Sequence, residues 1–206
     1  MSYEVTFYTN PQSRGRIARW MLEEVNAPYK TEIVQYGEPM KAPKFTDINP
    51  MRKVPAIVHD GVVVTETAAI CAYLADAFPE AGLAPAQDKR GPYYRWLFFA
   101  AGPMEAAVSA RMLGVEPSKE QEKMVGYGSM QRVMDTLEKQ LEANDFICGD
   151  RFNAADVYVG SHVNFGLQFE TIDKRPAFEK YVARVTDREP YRRANELDDA
   201  AVADQG

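Results

Sequence analysis

Every strand-like stretch in this chain lies before Glu66, and the residues beyond it read as helix. A chain with its β pattern gathered at one end builds one small sheet there, and the rest must bury helix against helix. Val5 to Tyr8 is β-rich and is broken at Thr9-Asn10-Pro11, as a short strand ending in a turn would be. Ser13 then stands near the N-cap of a run whose apolar residues, Ile17, Trp20, Met21 and Val25, keep helical spacing until Asn26-Ala27-Pro28. Tyr29 to Tyr36 predicts a second strand, and a stretch with Pro39, Pro43 and Pro50 predicts irregular chain with a short helix around Lys44 to Ile48. Two more strands, Val54 to Val58 and Val62 to Val64, flank Asp60-Gly61, a strong hairpin signal. Glu66-Thr67 opens a helix through Ile70, Tyr73, Leu74 and Phe78, stopped by Pro79. The order is β-α-β followed by β-β-α.

Leu83 to Pro92, with two prolines, a glycine and mixed charges, reads as a linker. The division is residues 1–80, a linker at 81–92, and a second domain at 93–206. Helical patterns run over Tyr94–Met112, Gln121–Leu141, Asn153–Phe169 and Pro176–Val185, and the small, acidic residues from Asp198 on read as a frayed end. At 206 residues and 46% hydrophobic, the chain has material for one good core or two small ones. A net charge of -6 argues against general nucleic-acid binding. No apolar run approaches the roughly 18–20 residues of a membrane span, and no secretory signal is visible at Met1–Val5. Cys71 and Cys148 form no Cys-x-x-Cys, which suits a reducing, cytoplasmic setting. With His59 and His162 they make no familiar zinc pattern, so no metal is expected.

Four segments, in order, carry a resemblance that covers nearly the whole length: Tyr8 to Glu24 with Ser13-Arg14-Gly15-Arg16; Asn49 to Ile57 with Lys53-Val54-Pro55; Thr65 to Leu74 with Glu66-Thr67; and Phe152-Asn153-Ala154-Ala155-Asp156-Val157. The chain resembles the cytosolic glutathione S-transferases of bacterial type. The resemblance implies an α/β thioredoxin-like N-terminal domain (βαβ-ββα) and an all-α C-terminal domain. It also implies glutathione as co-substrate, its thiol activated as thiolate for attack on a hydrophobic electrophilic small molecule, and a homodimer. A glutathione-dependent peroxidase or disulfide-bond reductase on the same fold, and a non-enzymatic binding protein, are the competing readings.

The same resemblance assigns residues. Val54-Pro55 is expected to be cis, leaving the Val54 N–H and C=O for the cysteinyl backbone of glutathione. Thr67 and the helix start would take the γ-glutamyl carboxylate, Glu66 its ammonium, and Lys53 the glycyl carboxylate. For the sulfur there are three candidates, Ser13, Asn10 and Tyr8. An unperturbed thiol has a pKa of about 8.5, so a hydroxyl donor at a helix N-terminus would favour the thiolate, with Arg14 or Arg16 adding positive potential. As plain structure, Ser13 caps its helix, Glu66-Thr67 caps the next, and Lys53 is a solvated charge. Met104, Arg111, Met112 and Phe165 are candidates for an apolar electrophile site, with Arg111 at its mouth. Asn153 and Asp156 suit a capping box with a Phe152–Val157 staple, a folding device without catalytic work.

Overall fold

The computed structural model describes residues 4–204. Its sheet, among those residues, has four strands in the order β2-β1-β3-β4. Strand β1 (Val5–Thr9) runs parallel to β2 (Tyr29–Ile33), with Val5 opposite Tyr29 and Thr9 opposite Ile33. Parallel neighbours need a crossover, and helix α1 (Gly15–Glu24) supplies it. Strands β3 (Ala56–His59) and β4 (Val62–Thr65) form the hairpin, with Asp60 at φ 51 and Gly61 at φ 78, the two left-handed residues of a two-residue turn. Helix α4 (Thr67–Ala77) comes next. The β2 pattern stops short of Tyr36: the Val34 N–H turns back to the Thr9 carbonyl at 2.8 Å, and Gly37 bends the chain at φ 90.

Strand β1 alternates buried Val5, Phe7 and Thr9 with half-buried Thr6 and Tyr8. Phe7 meets Tyr29 edge-on on the α1 side, while Tyr8 packs with Val34, Met40 and Phe45 on the other. Two short helices, α2 (Glu38–Lys41) and α3 (Pro43–Thr46), carry Met40 and Phe45 into that second cluster. Ile17, Trp20 and Met21 of α1 and Ile70 and Leu74 of α4 are almost wholly buried. At roughly 1.5–3 kcal/mol for each large apolar side chain, these contacts dominate the local stability.

The chain divides into two compact units. One holds the residues up to Ala84 together with those from Asp187 on, and the other is Pro85–Thr186. The first is thus discontinuous, which a division by chain order does not express: helix α10 (Glu189–Ala203) packs on α1. The frayed end expected from Asp198 on is helix through Ala203, with Asp198 itself wholly buried; Gln205 and Gly206 lie outside the described residues.

The second unit is built of helices: α5 (Arg90–Phe99), α6 (Glu105–Met112), α7 (Met130–Ala143), α8 (Ala154–Gln168) and α9 (Pro176–Thr186), with an irregular connection between α6 and α7. The single helix expected over Tyr94–Met112 is two, joined by a π-helical turn at Ala100–Met104 that contains Pro103. A proline inside a helix removes one backbone donor, and the wider turn accommodates the loss. Helix α7 starts later than Gln121 because Gly128 adopts φ 70 and Ser129 then caps, its Oγ accepting the Arg132 N–H at 3.3 Å. The capping box forms as its residues dictate: the Asn153 N–H donates to Asp156 Oδ2 at 3.0 Å, and the Ala155 N–H to Asn153 Oδ1 at 2.9 Å. Asp156 Oδ1 also accepts from the Ile147 N–H at 2.7 Å and the Tyr181 hydroxyl at 2.9 Å, making this buried carboxylate a junction of three segments. Burial first, and then Asp156, push the Tyr181 phenol well above its ordinary pKa.

No helix of the described residues is long and apolar enough to cross a membrane.

Candidate functional site

Register brings the candidate residues of the first unit together. Tyr8 of β1 lies opposite Ala56 of β3, and Ala56 opposite Thr65 of β4. The turn after β1, the loop before β3 and the start of α4 therefore converge at one end of the sheet. Ser13, Asn10, Tyr8, Lys53, Val54, Pro55, Glu66 and Thr67 all belong to that end.

The turn is built around Asn10 and Ser13. Asn10 is buried; its amide donates to the Val34 carbonyl at 3.2 Å and its Oδ1 accepts the Gln12 N–H at 3.0 Å. Its side chain is spent on holding the turn against β2. Tyr8, tilted against Phe45 with ring centroids 6.1 Å apart, lies in the cluster of Val34, Met40 and Phe45, with Ile48 and Val54 packed beside it. Ser13 is half-buried; its hydroxyl donates to the Asn10 carbonyl at 2.6 Å and accepts the Gly15 N–H at 2.9 Å. The Asn10 carbonyl also receives the Ser13 N–H at 3.1 Å and the Thr9 hydroxyl at 3.4 Å. The turn leaves no room for a side chain at residue 15: a Cβ on Gly15 would stand 1.8 Å from Thr9 Oγ1 and 3.0 Å from Ser13 Oγ. Arg16, expected as a source of positive potential, is directed elsewhere. Its guanidinium donates to the Pro11 carbonyl at 2.7 Å and pairs with Asp199 at 2.7 Å.

The loop before β3 depends on a residue to which the sequence motifs assign no role. Buried Asn49 donates its amide to the Lys53 carbonyl at 2.7 Å and accepts the Met51 N–H at 3.0 Å, which fixes the path from Met51 to Lys53. Arg52 adopts φ 56 within it. Asn49-Pro50, a turn-initiating pair, was the available signal. The Val54–Pro55 bond is cis, as expected. Pro55 is buried and Val54 half-buried, and no hydrogen bond from the described residues takes the Val54 N–H or C=O. Lys53 is exposed.

At the third segment Glu66 has φ 64 and ψ 115, outside the region that side chains favour. Such a conformation costs on the order of 1–3 kcal/mol and persists where its surroundings hold it. Glu66 is exposed, Thr67 is 9% exposed, and neither side chain has a hydrogen-bond or ion-pair partner among the described residues. Thr67 opens α4, whose first N–H groups point away from the helix body toward this end of the sheet. An acceptor, a small hydroxyl donor and a helix N-terminus stand side by side there, which suits a carboxylate next to an ammonium.

The second unit holds the other four candidates. A cavity of about 500 Å³ opens between α6, the chain from Val115 to Tyr127 and the start of α7, lined by Ala107, Arg111, Val115, Tyr127, Met130 and Met134 among others. Of the four, Arg111 lines it, held by Asp173 at 3.0 Å and the Thr171 carbonyl at 3.5 Å. Met104 is wholly buried in the helical core, Met112 is 70% exposed, and Phe165 packs against Phe169 with centroids 6.3 Å apart. The cysteines are quiet. Burial raises the Cys71 thiol far above its ordinary pKa and pushes Cys148 up to about 12.

Two family models match the chain: the glutathione S-transferase N-terminal domain over residues 14–77 and the C-terminal domain over residues 93–189. Glutathione S-transferase GstA of Escherichia coli O157:H7 is 30% identical over 143 residues, covering 66% of this chain and 70% of that protein. The crystal structure of a glutathione transferase from Methylococcus capsulatus superposes with a TM-score of 0.79 at 27% identity, covering 95% of this chain and 99% of that one. A glutathione transferase homologue from Sulfitobacter, solved with bound glutathione, gives a TM-score of 0.74 at 25% identity over 100% of this chain and 99% of its own.

Proposed function

The chain belongs to the glutathione S-transferase family, and from that premise we propose that it binds glutathione at the end of the β1–β3–β4 sheet and joins the glutathione sulfur to a hydrophobic electrophile. The observation that carries this reading is the Glu66–Thr67 start of α4. Glu66, at φ 64, and Thr67 follow the end of β4 at the same end of the sheet as the Ser13 turn, and neither side chain has a partner among the described residues. Glutathione presents the complementary set: an ammonium beside a carboxylate at one end, a thiol in the middle, a second carboxylate at the other. In this reading Glu66 accepts from the ammonium, and Thr67 with the α4 N–H groups holds the first carboxylate. The Val54 N–H and C=O pair with the cysteinyl backbone, and Lys53 meets the glycyl carboxylate.

Ser13 then handles the sulfur. Its hydrogen is committed to the Asn10 carbonyl at 2.6 Å, so donation to a thiolate means exchanging that bond. The exchange is favourable. A neutral hydrogen bond is worth about 0.5–1.5 kcal/mol net, and one to a charged acceptor about 1.5–3 kcal/mol. The Asn10 carbonyl is not stranded, because the Ser13 N–H still reaches it at 3.1 Å. The thiol proton leaves to solvent, the thiolate accepts from the Ser13 hydroxyl, and sulfur attacks the electrophilic carbon as the leaving group departs. In the second unit, Arg111 and the apolar residues beside it are the candidates for contact with the electrophile.

Glutathione titration by calorimetry tests the reading. Wild type should bind with one site per chain. Glu66→Gln should weaken binding about tenfold or more, as expected for a lost charge-assisted contact of about 1.5–3 kcal/mol. Equal affinities for the two proteins would remove Glu66 from the site, and no binding by wild type would leave the family fold without this activity.

A further inference from the structure

One side chain connects the C-terminal helix to the turn that carries Ser13. Arg16 Nε donates to the Pro11 carbonyl at 2.7 Å, its Nη2 to Asp199 Oδ1 at 2.7 Å, and its Nη1 to Asn195 Oδ1 at 3.4 Å. The planar guanidinium fork thereby joins the turn on one side and two residues of α10 on the other. Pro11 has no N–H, so its carbonyl is its sole backbone handle in the turn. Helix α10 is seated independently of Arg16. Arg19 Nε reaches the wholly buried Asp198 at 2.8 Å, Arg188 grips Glu24 through two hydrogen bonds of 2.6 and 2.7 Å, and Arg193 meets Glu23 at 2.8 Å.

We propose that Arg16 is a positioning residue: it transmits the seating of α10 to the Asn10–Ser13 turn and so sets the orientation of the Ser13 hydroxyl. The functional part of this inference rests on the sulfur site proposed above. The rival role for Arg16 is a counter-charge to the thiolate. Its guanidinium is already neutralised by Asp199 at 2.7 Å, and the field of such a pair falls off faster with distance than that of a lone cation. What Arg16 offers the turn is a fixed carbonyl.

Two variants separate the roles. Arg16→Lys keeps the charge and loses the fork. The double variant Asp199→Ala/Asn195→Ala keeps Arg16 and frees it from α10. Asp199 is 68% exposed and Asn195 half-buried, so the fold tolerates their removal. Two readouts are taken: amide hydrogen exchange of the turn without ligand, and the pKa of bound glutathione's thiol from its ultraviolet thiolate band. Positioning predicts about tenfold faster exchange at residues 12–15 in both variants, with α4 amides unchanged. It also predicts a bound-thiol pKa raised by about one unit in both, with glutathione affinity within about threefold of wild type. A counter-charge predicts the opposite sign in the double variant, where an unpaired Arg16 lowers the thiol pKa. That result, or turn exchange unchanged in both variants, overturns the proposal. If wild type binds no glutathione, the transferase reading falls, while the exchange measurement still decides whether Arg16 ties the turn to α10.

Discussion

In the proposed reaction two acceptors compete for the single hydrogen of the Ser13 hydroxyl: the Asn10 carbonyl, which holds it at 2.6 Å, and the thiolate of glutathione. Replacing Ser13 by alanine removes the donor and the acceptor together. A charge-assisted bond of about 1.5–3 kcal/mol corresponds to roughly tenfold to hundredfold in rate if it is strongest on the thiolate. Ser13→Ala is therefore expected to lower kcat by that factor with the glutathione KM within about threefold, since the binding contacts proposed above are at Lys53, Val54, Glu66 and Thr67. The lost acceptor for the Gly15 N–H adds about 1 kcal/mol of destabilisation, visible in urea unfolding. Steady-state kinetics with a chromogenic aryl halide decide: equal kcat values would reduce Ser13 to a cap. The candidacy of Ser13 came from the family resemblance, beside the helix cap that its place before a helical run implies. Its commitments were not legible in the sequence. The bond to Asn10 depends on where the turn folds back, and Asn10 is fixed by Val34, which lies 24 residues away. Periodicity carries no such information.

Helices whose caps and apolar stripes are local came through from sequence alone. Helix α8 begins where Asn153 and Asp156 require, because both halves of that box lie within one turn of chain. Helix α1 shows where local pattern stops. Its spacing implies one apolar stripe, yet Arg19 is only 3% exposed. The guanidinium lies over the Phe7 ring, 5.2 Å from its centroid, and pairs with Asp198 of α10. Tyr29, which also donates to Glu23, is pushed up to about 12, chiefly by burial and then by that carboxylate. Burial likewise pushes the Asp198 carboxyl up, with Arg19 offsetting only part of the cost, and Asp198 Oδ2 has no hydrogen-bond partner among the described residues. A carboxyl raised on folding contributes stability that is full below its unfolded pKa of about 3.9 and is lost as pH rises through the folded value. The stability of wild type relative to Asp198→Asn should therefore fall as pH rises above about 4. Urea unfolding at a series of pH values checks this sign. A difference that grows with pH would mean the Arg19 attraction outweighs desolvation.

At the scale of the whole molecule, the chain builds most of one unit, leaves to build a second from Pro85 to Thr186, and returns with α10 to finish the first. Reading in chain order assigns the last helix to its helical neighbours. What assigns it to α1 is pairing between residues 164 to 183 positions apart: Arg188 with Glu24, Arg19 with Asp198, Arg16 with Asp199. The acidic composition of the last residues suggested solvent, whereas Asp198 pairs with a buried cation far upstream. The return has a measurable consequence. Truncation after Thr186 would strip α1 of its cover, expose Trp20, which meets Tyr191 edge-on at 4.8 Å, and leave Arg19 without its carboxylate. Re-exposing the apolar side chains that α10 covers costs about 1.5–3 kcal/mol for each large one. That is a large share of the roughly 5–15 kcal/mol that typically holds a folded protein together. Hydrogen exchange on the truncated chain should show β1, α1 and β2 losing protection while α7, α8 and α9 keep theirs, because no helix of the second unit is removed. Glutathione binding should be lost with the first unit. Uniform protection across both units would show that α10 covers α1 without supporting it, and the coupling of this helix to the Ser13 turn would then have to be weak.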